Sequence, residues 1–272
     1  MGKVLVEKML PVLRVTKWPE TVEATQLGRQ AYLVGLDKVE EFADDPKNLT
    51  SALRTFQSGE SRPYAYAGVA YTLVRASLEG DGSYSQEGLD ASLGWLEKAQ
   101  ELAPDLLEIN MVEAFIYIYG GRIEDARIIL DYLETIDATD YHVLMAEAAY
   151  WSQQRKLKET VYWLEKAIAE ADTVPSKLRL RAKMGDTYLS YGMDEKAIEV
   201  YKEAVHFAKE NPKLWHKMSI AYWRLEDYDE AARCNNRALS LREDYPEALK
   251  MQASLKERKR DTGGLAGRIF GR

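Results

Sequence analysis

The sequence predicts an all-α protein built as a solenoid of stacked antiparallel helix pairs. Residues 178–211 and 212–245 are two units of 34 residues laid end to end, and a fixed period of this length is typical of helical repeat arrays. Small and aromatic residues also recur at corresponding places. The first unit has Gly185, Tyr188, Ala197, Tyr201 and Ala204 where the second has Ser219, Tyr222, Ala231, Asn235 and Ala238.

This pattern has a physical explanation. Small residues are expected where two helices cross closely, and aromatic residues fill the space between one hairpin and the next. A hairpin of this kind cannot bury its apolar face alone, so its neighbours must stack against it. The second unit shows the whole pattern in Trp215, Met218, Ser219, Tyr222, Tyr228, Ala231 and Ala238.

The pattern resembles the tetratricopeptide repeat family, and the resemblance implies a right-handed superhelical solenoid. The frame extends upstream with drift through 141–177 and 107–140. Residues 61–106 hold a split repeat, interrupted by the Gly-, Ser- and Asp-rich segment Gly80–Leu89, which we interpret as an inserted loop. The predicted array therefore covers residues 61–245 as one solenoid without a separate domain.

The two ends of the chain depart from the frame. Residues 1–18 form an N-terminal segment with no place in it, and residues 19–60 are predicted as a degenerate helical hairpin. Residues 246–260 have one apolar and one charged face, as a C-terminal capping helix requires. Residues 261–272 contain four glycines and are predicted as a flexible basic tail.

Composition favours a cytoplasmic protein. Cys234 is the single cysteine, which excludes an intramolecular disulfide, and no apolar run is long enough to span a membrane. The N-terminus lacks the apolar core of a secretory signal. A net charge of −7 disfavours nucleic acid as a partner. Residues 256–272 nevertheless carry six lysines and arginines against two acids, a net charge of +4.

The sequence offers no recognisable catalytic motif. His142, His206 and His216 lack a second histidine at metal-ligand spacing, and Cys234 has no neighbouring cysteine. Neither a phosphate-binding loop nor a paired catalytic carboxylate can be identified. We therefore predict a protein that is not an enzyme and that has no cofactor and no metal site.

The resemblance also implies where a partner would bind, because the first helix of each repeat lines the concave groove in this family. The implied partner-binding residues are Val69, Leu73, Met111, Phe115, Ile118, Tyr119, Met145, Gln153, Asp186, Leu189, His216, Ile220, Trp223 and Arg224. So many apolar side chains suit a hydrophobic peptide or an amphipathic helix. Alternatively, they pack against neighbouring helices. The Lys and Asn clamp with which some members bind a C-terminal carboxylate is absent.

The function predicted from these observations is a protein–protein interaction scaffold or adaptor that binds a peptide or helix of a partner in its concave groove. One alternative is an assembly or envelope-associated factor whose basic, apolar C-terminal tail contacts a membrane or a partner. Others are a self-associating repeat protein and a chain whose own tail, through Leu265, Ile269 and Phe270, fills the groove.

Overall fold

The computed structural model describes residues 2–40, 46–79, 82–137 and 139–270, and gives side chains for 3–40, 49–79, 82–137 and 139–259. These residues are almost entirely helical. They form two compact units, Met1–Glu170 and Ala171–Arg272, called unit 1 and unit 2 below. Over the described residues the sole extended pairing is an isolated antiparallel bridge between Leu78 and Tyr84.

Unit 1 is a stack of helical hairpins preceded by one helix. Consecutive pairs from α2/α3 to α8/α9 pack mainly on each other, and α4, α6 and α8 connect one hairpin with the next. Its helices are α1 Gly2–Val15, α2 Gln26–Glu40, α3 Pro46–Ser58, α4 Arg62–Ala76, α5 Gln86–Gln100, α6 Leu107–Tyr119, α7 Ile123–Asp137, α8 Tyr141–Gln153 and α9 Leu157–Glu170.

Unit 2 holds two hairpins and a final helix. Their helices are α10 Val174–Ser190, α11 Asp194–Phe207, α12 Pro212–Arg224, α13 Tyr228–Leu241 and α14 Pro246–Phe270. Both units thus have the helical-repeat architecture that the sequence predicts.

Local sequence explains where the two helices of the second regular repeat begin. Asn211 caps α12 by accepting hydrogen bonds from the amides of Lys213 and Leu214, and Pro212 follows it at the first helical position. Asp227 caps α13 through the amide of Glu230. Such caps satisfy amides that have no partner inside their own helix, so hairpin boundaries are encoded in short polar signals.

The small residues that recur in the repeat pattern lie where helices approach closely, as predicted. A Cβ atom added to Gly185 would lie 2.5 Å from the ring of Tyr201, and Ala197, Ala204, Ala231 and Ala238 are completely buried. A larger side chain at these places would separate the helices.

The two N-terminal segments also pack as helices on unit 1. In α1, the side chains of Val6, Met9 and Leu13 are buried, and the helix packs on α4 and α5. The hairpin α2/α3 packs on α4, with Phe56 almost fully buried at the contact. Hence a segment outside the repeat frame and a degenerate hairpin both contribute to the core.

The structure differs from the predicted boundaries at two places. The inserted loop is shorter than the predicted Gly80–Leu89, because α5 begins at Gln86 and Leu89 is buried; Gly80 and Asp81 lie outside the described residues. Helix α14 continues to Phe270, through residues predicted as a flexible tail, and no proline after Pro246 interrupts it. The last two residues, and all side chains from 260 onward, are outside the description.

Candidate protein-binding surface

Most of the predicted groove residues of unit 1 lie in its core. Helix α4 is packed against α1, α2, α3, α5 and α6, and α6 is packed against α4, α5, α7 and α8. Neither helix therefore keeps an open face for a partner along its length. The buried predicted residues of unit 1 are Val69, Leu73, Met111, Phe115, Ile118 and Met145. These six side chains stabilise the stack and form no surface in this structure.

The inserted loop covers the remaining apolar part of this region. Between α4 and α5, the amide of Glu79 donates to the carbonyl of Ser83 (2.8 Å), and the bridge of Leu78 with Tyr84 closes the loop. The ring of Tyr84 stacks on the ring of Tyr119, with the two centroids 4.1 Å apart. The Tyr119 ring in turn stacks on the ring of Phe115. Tyr119 is consequently half-buried, and its burial raises the pKa of its hydroxyl.

A polar cluster beside these rings is internally neutralised. The Tyr71 hydroxyl donates to Glu40, and Arg75 Nε lies 3.4 Å from Glu40 Oε1. The charge of Glu40 raises the pKa of Arg75, and burial raises the pKa of Tyr71. Because the charge of Arg75 is neutralised by Glu40, which also accepts the Tyr71 hydrogen bond, we interpret the cluster as structural rather than as a binding site.

In unit 2, by contrast, most of the predicted groove residues reach the surface. Asp186 and Leu189 on α10, and Ile220 and Trp223 on α12, are half-buried, while Arg224 is exposed. We call these five residues the unit 2 strip. Gln153, at the end of α8 in unit 1, is also exposed.

The strip is held together by contacts among α10, α11 and α12. Asp186 accepts a hydrogen bond from the Tyr201 hydroxyl (2.5 Å) and forms an ion pair with Lys217. Arg224 Nη1 donates to the carbonyl oxygen of Leu189 (2.6 Å) and lies 3.5 Å from Asp194 Oδ1. These contacts hold an apolar centre between an acidic and a basic group.

Sequence reasoning missed two supports of this strip. Lys217 neutralises Asp186, and Tyr228 packs edge-on against Trp223 with ring centroids 5.1 Å apart. The sequence does show opposite charges in neighbouring repeats, which is the signal for the Asp186–Lys217 ion pair. The spacing of these residues alone does not show that their side chains meet. Arg258 of α14 lies over the ring of Tyr228 and extends the cluster.

His216 is a core residue rather than a groove residue. Its ring is buried, with Nδ1 3.3 Å from Asn235 Oδ1 and the Tyr245 ring packed edge-on at 5.2 Å. Asn235 in turn donates to the carbonyl oxygen of Ala248 (2.8 Å). This chain of contacts connects α12, α13 and α14, so His216 serves the stability of unit 2.

The buried histidine predicts a pH dependence of unit 2. Burial lowers the pKa of His216, although the Asn235 contact and Glu247 act in the opposite direction and Lys217 lowers it further. As pH falls below about 6.5, the unfolded chain takes up a proton before the folded chain does, so unit 2 loses stability on acidification. Urea unfolding near neutral pH and near pH ~5.5 would measure this loss.

The matched variants separate His216 from other acid-sensitive groups. We expect His216→Gln to reduce the loss of stability on acidification, and His206→Gln, at an exposed position of the neighbouring α11, serves as the matched control. An identical pH dependence in His216→Gln and the unaltered chain would contradict the assignment.

No group of three or more His, Cys, Asp or Glu residues that could hold a metal ion occurs in the described part of the chain. The same part contains no helix that is long and apolar enough to cross a membrane.

Comparison with known proteins supports the repeat architecture. A family profile described as "Tetratricopeptide repeat" matches residues 212–245, the second of the two regular units. No curated protein matches the chain by sequence at a significant level.

Three solved structures illustrate the similarity in fold. One, described as "Functional Characterization of Pseudomonas Aeruginosa pilF", has a TM-score of 0.55 and 16% identity over 77% of this chain and 92% of its own. A thermophilic tetratricopeptide-repeat protein of Thermus thermophilus has a TM-score of 0.50 and 17% identity over 69% of this chain and 97% of its own. The structure of the Cut9–Hcn1 hetero-tetramer has a TM-score of 0.58 and 12% identity. This match covers 84% of the present chain and 46% of the other chain.

The helical hairpins and these similarities define the class as an all-α helical-repeat protein. Within this class, residues 212–245 match the profile of the tetratricopeptide repeat family, the family that the sequence pattern resembles.

Proposed function

We propose that the chain is a protein-interaction scaffold and that the unit 2 strip holds a peptide or a helix of its partner. The repeat fold supports a protein-binding role in general terms. The observation that carries the finer proposal is the contrast in burial. The predicted groove residues on α4 and α6 are mostly core, whereas those on α10 and α12 are mostly accessible.

The chemistry of the strip suits a partner that is apolar in its middle and charged at its ends. Leu189, Ile220 and Trp223 offer partly exposed apolar area, and tryptophan and arginine are the residue types that often dominate binding energy. Arg224 donates to the carbonyl oxygen of Leu189, and its side chain is 45% exposed. A carboxylate on the partner would therefore find a preorganised donor there.

The strip does not fit a partner recognised mainly by its terminal carboxylate. At the corresponding clamp positions, α10 has Ala182 and Asp186, and α12 has His216 and Ile220. Asp186 would repel a carboxylate, and His216 is buried. We therefore propose an internal segment of the partner as the bound element.

Affinity capture from a native lysate with an Ile220→Glu variant would test the proposal. Ile220 is half-buried on α12, so glutamate there introduces a charge into the apolar centre of the strip. We expect loss of a captured protein, with at least about a tenfold weaker affinity when it is purified and titrated.

Phe207→Glu provides the matched control, because it places the same charge on an exposed apolar residue of α11. Circular dichroism would verify that both variants remain helical. Equal retention of the partner by Ile220→Glu and Phe207→Glu would contradict binding at the strip.

A further inference from the structure

Helix α7 has an exposed apolar face that no described element of unit 1 covers. Ile128, Tyr132 and Ile136 are spaced four residues apart, which places them on one side of the helix. Their exposures are 66%, 41% and 45%, whereas Leu130 and Leu133, on the opposite side, are completely buried. Three large apolar side chains in one exposed row suggest an interaction surface rather than isolated surface residues.

This face is also strongly acidic. Helix α7 contains five acidic residues and one basic residue, a net charge of −4. Arg127 binds the buried Glu147 and also pairs with Asp131 and Glu134, and Arg122, just before the helix, pairs with Asp125. With Glu147 and Arg122 included, six acids stand against two cations, so the net charge stays at −4. Glu124 and Asp131 are exposed beside the apolar row. A partner for α7 therefore has to combine apolar side chains with positive charge.

The C-terminal segment of the same chain has that composition. Residues 256–272 carry a net charge of +4, equal and opposite to that of α7, together with Leu265, Ile269 and Phe270. Helix α14 extends to Phe270, and the described side chains of Lys256 and Lys259 are exposed. A basic helix with apolar residues is a suitable element for docking along an acidic, apolar helix face.

We propose that the C-terminal segment 256–272 of one copy docks on the α7 face of a second copy, so that the chain self-associates through Ile128, Tyr132 and Ile136. This contact uses different surfaces on the two copies, so it forms either a ring or an open chain of copies. It is separate from the unit 2 strip, and either site can fail experimentally without affecting the other.

Sedimentation velocity of the full-length chain over a range of concentrations would test the proposal. We expect an average mass above that of one chain, rising with concentration and falling when NaCl is raised from about 0.05 to about 0.5 M, because salt screens the charges. A peptide with the sequence of residues 256–272, added in excess, is expected to compete and dissociate the assembly.

Two variants identify the surfaces involved. Ile128→Glu alters the α7 face, and the double variant Ile269→Glu, Phe270→Glu alters the C-terminal segment. Each is expected to be monomeric alone, with self-association weakened at least about tenfold. Mixing them restores one intact α7 face and one intact C-terminal segment, so a two-chain complex is expected in the mixture.

A second α7 variant, Glu124→Gln with Asp131→Asn, keeps the apolar row and is expected to lose most of the salt dependence. Val34→Glu is the control, since it adds the same charge to an exposed apolar residue of α2. The proposal is overturned by a full-length chain that is monomeric at all concentrations, by self-association that persists in Ile128→Glu, or by a mixture that stays monomeric. If the segment docks on α7 of its own copy instead, the full-length chain stays monomeric at all concentrations, which is the first of these results.

Discussion

Replacing Arg127 by leucine is expected to lower the free energy of unfolding of unit 1 by about 3–5 kcal/mol. The Glu147 carboxylate is completely buried, and Arg127 binds both of its oxygen atoms, at 2.9 and 2.6 Å. Burial raises the pKa of Glu147, and Arg127 counteracts this effect more strongly than any other group. Without the guanidinium, a charged carboxylate would remain in the core or would have to take up a proton.

Hydrogen exchange of the α7 and α8 amides measures this loss, with the amides of unit 2 as an internal reference. The loss is expected to diminish as pH falls, because protonation of Glu147 removes the unpaired charge. Asp131→Asn is the control. It removes an exposed partner of the same guanidinium, so a cost of only about 0–1 kcal/mol is expected.

The double variant Arg127→Leu, Glu147→Leu is expected to recover most of the stability, because an apolar pair can replace a buried ion pair. A loss below about 1 kcal/mol in Arg127→Leu would mean that the carboxylate is already solvated or protonated.

Replacing Phe56 by alanine is expected to lower the free energy of unfolding of unit 1 by about 3–5 kcal/mol. The ring is 2% exposed and lies against the backbones of two helices. A Cβ atom added at Gly35 of α2 or at Gly68 of α4 would overlap with it. Tyr32 packs on its other side at 6.0 Å between ring centroids. The alanine variant would thus leave a cavity among α2, α3 and α4.

A double-mutant cycle tests whether this contact is the cause. Gly68→Ala alone is expected to cost about 1–3 kcal/mol by overpacking, and much less in the Phe56→Ala background, where the added methyl group enters the cavity. Urea unfolding followed by circular dichroism gives the four free energies. Additive effects of the two substitutions would show that Phe56 does not determine the spacing of α2 and α4.

The repeat frame was predictable because its determinants are local or periodic. Tyr201 packs against Gly185, and the two residues are 16 positions apart within one hairpin, so their spacing recurs in every regular unit. The caps Asn211 and Asp227 act within three residues. The resemblance to the repeat family, the all-α class and the hairpin boundaries of residues 178–245 depend on such short-range relations.

The candidate site was less predictable, because exposure depends on contacts between segments distant in sequence. Phe115 and Tyr119 occupy groove positions in the repeat frame, but Tyr84, 35 residues before Tyr119, stacks on that ring. The insertion itself was visible in the sequence, whereas the direction in which it folds was not. His216 was likewise assigned to the groove, although Asn235 and Tyr245 enclose it.

The sequence by itself therefore determined the helical-repeat class, the frame of the two regular repeats and the charge contrast between the C-terminal segment and the rest of the chain. Only the tertiary structure decided which faces of the helices stay accessible. It buried the predicted groove residues on α4 and α6, kept the unit 2 strip at the surface and exposed the apolar row of α7. The physical reason is that a periodic pattern specifies only which residues lie on the same face of a helix. Whether that face meets another helix, a loop or solvent depends on packing across the whole unit.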